Sequence, residues 1–74
     1  MIPEFVQKIA KKRDLDPERL NDISMEFLNT LQFLDPDEVA GVIAVVCNWV
    51  NNQMPTVVAD GLSLINEVNE ENEN

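Results

Sequence analysis

Apolar side chains recur in this chain at the three- and four-residue spacing of an amphipathic helix, in three separate stretches. Ile2, Phe5, Val6 and Ile9 share one face of a segment from Pro3 to about Lys12, with lysines opposite. Leu20, Ile23, Phe27, Leu31 and Leu34 keep the period from Pro17 to about Leu34, and Val58, Leu62 (or Gly61), Ile65 and Val68 keep it from about Pro55 to Glu70. The pattern predicts three amphipathic helices.

A fourth stretch breaks the alternation. From Val39 to Val50 the only strongly polar side chain is Asn48. The β-branched pairs Val42-Ile43 and Val45-Val46 would suit a buried strand, but the length of the run and the signal that precedes it favour a helix. A helix apolar on every side must be covered on every side. Ala40, Ala44 and Cys47, with Gly41 alongside, make a ridge small enough for close approach of another helix, while Val39, Val42 or Ile43, Val46, Trp49 and Val50 make the bulkier face.

Prolines at 3, 17, 36 and 55 punctuate these segments. Proline suits the first helical position, where its missing N–H had no intrahelical partner to lose. In Leu15-Asp16-Pro17-Glu18-Arg19-Leu20, Asp16 reads as the N-cap, Glu18 favours the positive end of the helix dipole, and Leu15 can staple onto Leu20. In Leu34-Asp35-Pro36-Asp37-Glu38-Val39 the order recurs, with Glu38 placed to close a capping box. The last three prolines are 19 residues apart, a spacing that helices of equal length with similar start signals explain without a tandem repeat. Asn51-Asn52-Gln53-Met54 reads as a loop. The expected fold is all-α: a compact bundle of four helices, one short and three of similar length, with the third central and largely buried. Residues 1–68 would form the single domain and 69–74 an acidic Glu/Asn tail.

Charge adds a division that periodicity does not show. Residues 1–19 hold all five basic groups, Lys8, Lys11, Lys12, Arg13 and Arg19, for a net of +1, and residues 20–74 hold ten acids and no base, for a net of −10. An acidic body is a poor partner for nucleic acid, whose binding depends on cations that displace counterions, and a good one for a basic protein surface. The basic end of the first helix can lie against acids of the body and neutralise part of their repulsion.

Composition removes most chemistry. With no histidine and no tyrosine, the commonest general base and a common proton donor are missing. Cys47, the single cysteine, can form no internal disulfide, which fits a reducing, cytoplasmic setting, and its apolar neighbours predict a buried, inert thiol. Ser24 and Ser63 lack a base and a nucleophile elbow, and neither has the aspartate that precedes the attachment serine of acyl carrier proteins. Calcium loops begun at Asp14 or Asp35 fail, because their sixth positions are Arg19 and Ala40 and their twelfth Met25 and Val46. No cofactor, metal or catalytic residue is expected. The opening Met1-Ile2-Pro3-Glu4-Phe5 is unlike a secretory signal, and the apolar run Val39 to Cys47 is too short for a bilayer, so no membrane partner is expected either.

Interaction is what remains. The first expectation is a small acidic inhibitor or binding protein, of the kind bacteria and their mobile elements such as phage employ, that occupies a basic surface on a larger protein. In the sharper form its carboxylates imitate the phosphates of a nucleic acid. The acidic face would comprise Asp22, Glu26, Asp60, Glu67, Glu70 and Glu71. The alternative is a homodimer, a structural or regulatory module whose third helix self-associates through Ala40, Gly41, Ala44, Val45 and Cys47.

Overall fold

The computed structural model describes residues 1–72, residue 72 by its backbone alone. It is all-α, with four helices and no strand among the described residues: α1 Glu4–Arg13, α2 Pro17–Leu31, α3 Pro36–Gln53 and α4 Val57–Asn72. The apolar run after Val39 is therefore helical, as its start signal requires.

Each boundary has a local cause. Pro3 precedes α1, and the Gln7 side chain donates to the Ile2 carbonyl at 2.8 Å, folding the N-terminal residues back on the first turn. Asp14 closes α1 in the left-handed region, at φ 54° and ψ 48°, with its amide directed at the Ala10 and Lys11 carbonyls; the Leu15 amide donates to Ala10 at 2.8 Å. Asp16 then caps α2, its Oδ1 accepting from the Glu18 amide at 3.0 Å and the Arg19 amide at 3.5 Å, with Pro17 first in the helix. At α3 the Asp35 amide donates to Glu38 Oε1 at 3.0 Å, the return bond of the expected capping box.

The helix boundaries before Pro36 and around Pro55 differ from expectation, and proline is the reason there. α2 stops at Leu31 and Gln32–Leu34 form a turn, because Asp35 must be extended (ψ 156°) ahead of Pro36. Asn51, Asn52 and Gln53 stay helical, since nothing forbids it until Met54, which is pushed to φ −139° by Pro55. Met54–Thr56 make the turn, and α4 begins at Val57, beyond Pro55, with the Asp60 amide donating to the Thr56 carbonyl at 2.9 Å. Residues 69–72, expected as tail, belong to α4; the rest of that tail lies outside the described residues.

The principal packed pairs are α1 with α2, α1 with α4, and α3 with α4, so the spatial order is α2–α1–α4–α3. Ala10 on α1 and Val68 on α4 are the fully buried apolar residues among those described. This order corrects the expectation of a central, largely buried third helix. α3 has no buried residue; Val39, Val42 and Val50 are half-buried, while Val45 is 69% and Trp49 59% exposed. The physical reason is a shortage of cover. α1, the shortest helix, is occupied between α2 and α4, which leaves α3 one principal neighbour. The stripe of α2 is likewise covered on one edge only: Leu20 and Leu31 are half-buried, Ile23 and Phe27 exposed.

Candidate interaction surfaces

The packing of α1 on α4 brings opposite charges together. Lys12 Nζ lies 2.6 Å from Glu71 Oε1, and Lys8 Nζ lies 3.3 Å from Glu4 Oε1 within α1. The hydrogen bond to Glu71 is the main cause of the raised pKa of Lys12, and the negative charges of Glu71 and Glu67 add to it against some desolvation. Glu71 is held below its ordinary value, first by the hydrogen bond from Lys12 and then by the charges of Lys12, Lys8 and Lys11. Two open recesses map this corner, one lined by Lys8, Lys11, Lys12 and Glu71, the other by Lys12, Glu67, Glu70 and Glu71. The basic end of the chain thus lies against acids of the body, as one sequence reading has it.

The six carboxylates expected to form one acidic face fall in three places. Glu67, Glu70 and Glu71 sit at the cationic corner. Asp60 occupies the first turn of α4, where the helix dipole favours it. Asp22 and Glu26 are exposed on α2, together with Glu18 one turn earlier, and no ion pair reaches these three among the described residues. Glu18 and Asp22 line the same open cleft, about 490 Å³, with Met1, Ile2, Gln7 and Asn21. Sequence reasoning missed Glu18 as a surface acid because its place beside the N-cap already explained it. Its four-residue spacing to Asp22, and of Asp22 to Glu26, was the available signal.

The residues proposed for self-association are all exposed. Gly41 and Val45 line a shallow apolar groove of about 450 Å³ with Glu38, Val42 and Val46. Ala40, Ala44 and Cys47 lie on the adjacent side of α3. Cys47 corrects a further expectation, for its thiol is exposed rather than buried: it shares the side of α3 that no neighbouring helix covers. Of the two serines, Ser24 is half-buried and Ser63 exposed. No group of three or more Cys, Asp or Glu side chains gathers as a metal site among the described residues, and no described helix is long and apolar enough to cross a membrane.

Compared with protein-family models, with curated proteins and with solved structures, the chain matches none of them.

Proposed function

We propose that this protein is a non-catalytic binding module that engages a basic surface on a larger protein through the acid row of α2, Glu18, Asp22 and Glu26. One observation supports the reading above others. Folding sets the α1 lysines against the acids at the end of α4, yet leaves this row exposed and, among the described residues, without an ion pair. Carboxylates four residues apart on one helix face repel each other by a few tenths of a kcal/mol per pair. The cations of a basic partner would relieve this repulsion on binding, which adds to the attraction. A row with one carboxylate per turn, about 6 Å apart along the axis, also offers the regular array of negative charge that a phosphate-binding protein reads.

The test is capture at low salt with the unaltered chain beside a chain carrying Asp22→Asn and Glu26→Gln. A basic protein retained by the first, released by salt and lost with the second is the expected result, and duplex DNA should compete for it if the carboxylates imitate phosphates. Equal retention by both chains sinks the reading.

A further inference from the structure

A chain of 8.4 kDa folded as a compact globule exposes about 4,600 Å² and has a radius of gyration of about 11 Å. This protein exposes 6005 Å², with a radius of 13.6 Å. The surplus of about 1,400 Å² per chain, shared between the open faces of α2 and α3, is of the size of one side of an obligate homodimer interface, which buries roughly 2,000–5,000 Å² over both partners.

The open apolar surface also has a charge signature. Between Glu38 and Asp60 no charged side chain occurs, and within that interval Ile43, Val45, Trp49, Met54 and Val57 are all exposed. A two-fold contact sets a surface against its own copy, so a chain of charge −9 pairs with itself best where it carries no charge. A basic partner, by contrast, is drawn to the carboxylates elsewhere.

We propose that a second copy of the chain covers the open face of α3, the two α3 helices running antiparallel about a two-fold axis near Val45. Val45 and Trp49 supply the apolar contact, and the groove lined by Gly41, Val42 and Val46 receives the partner's side chains. Gly41 gains a reason in this arrangement. A Cβ there would meet nothing within 4 Å in the protomer, so glycine weakens the helix to no internal benefit, whereas a second helix at close range uses the space. Direction follows from Asp37 and Glu38 at the start of α3. In a parallel pair these acids would stand side by side at about 8–10 Å. In an antiparallel pair they lie at opposite ends of a helix about 27 Å long, beyond the Debye length of about 8 Å, beside the neutral amides of the partner's Asn51, Asn52 and Gln53.

This inference is independent of the basic-partner reading and is tested on the unaltered chain. Sedimentation equilibrium over about 1 to 500 μM should show the mass rising from 8.4 kDa to about 17 kDa. The emission of Trp49, the only tryptophan, should shift to the blue in parallel. Val45→Glu should raise the dissociation constant about a hundredfold or more while far-ultraviolet circular dichroism keeps its helical signal. Nitroxides on Asp37→Cys, in a Cys47→Ser background, should lie roughly 24 Å apart. A chain that stays at the protomer mass with constant Trp49 emission overturns the proposal, whatever Val45→Glu does to folding. So does an assembly larger than a dimer, a label separation near 10 Å, or a monomer whose Trp49 becomes buried only when a basic protein is added.

Discussion

Single residues decide where this chain turns, and their contributions are separable. Asp14 is the residue held at positive φ among those described outside glycine, and it also places a negative charge at the C-terminal end of α1, where the dipole disfavours it. Glycine adopts that backbone without penalty, so Asp14→Gly should stabilise the fold by about 1 kcal/mol, and Asp14→Val should destabilise it. A thermal melt followed by circular dichroism reads this as a shift of roughly 4–8 °C upward for the first and a fall for the second. Asp16 acts in the opposite sense, satisfying amides at the start of α2, and Asp16→Ala should cost about 1 kcal/mol in urea denaturation. Asp16 was legible in the sequence as an N-cap, whereas Asp14 was not legible as the end of α1, because aspartate tolerates the left-handed region without requiring it.

At the scale of the helix, the contact between α1 and α4 joins elements far apart in the chain, and charge takes part in it. Glu71 titrates below its ordinary value of 4.5, so its share of the stability is present above that value and is lost as the pH falls through the lower, folded value. Lys12 titrates above its ordinary value of 10.5, so its share is present below 10.5 and is lost as the pH rises through the higher, folded value. Glu71→Gln should therefore lower the melting temperature slightly at neutral pH, with the difference from the unaltered chain closing under acid conditions and at high salt, since the pair is solvent-exposed. The acid row of α2 should show the reverse. Removing like-charge repulsion, Asp22→Asn with Glu26→Gln should raise the melting temperature while abolishing capture of the basic partner. Opposite shifts in stability and binding are the expected outcome, and they would separate a functional acid from one that only supplies solubility.

The two proposed surfaces differ in chemistry, and so would give the whole molecule two salt dependences. Attraction between the α2 carboxylates and a basic partner weakens as salt rises. Association of two chains of charge −9 through an uncharged face, as proposed for α3, would strengthen, because salt screens their mutual repulsion while apolar contact is left intact. Titrations at about 50 mM and 500 mM salt should thus show hetero-association falling and self-association rising, and parallel trends would refute the division of labour between α2 and α3. Protein concentration is a further lever: if the face of α3 is covered by a copy, the melting temperature should climb with concentration.

What the amino-acid sequence determined by itself is local. Caps and prolines act through neighbours within one turn, so the helical class and the starts of α2 and α3 could be read directly, whereas the end of α2, the α3–α4 turn and the last turn of α4 fell elsewhere than the pattern implied. The tertiary structure decided which faces are covered. A run such as Val39 to Val50 states that cover is required without stating who provides it, and the answer depends on the order α2–α1–α4–α3, which leaves α3 with one principal neighbour and Trp49 and Val45 open. The same order decided the charges. It set Lys12 against Glu71 at the exposed end of α4 and left Glu18, Asp22 and Glu26 exposed with no cation beside them among the described residues, a partition that depends on distance in space and not on position along the chain.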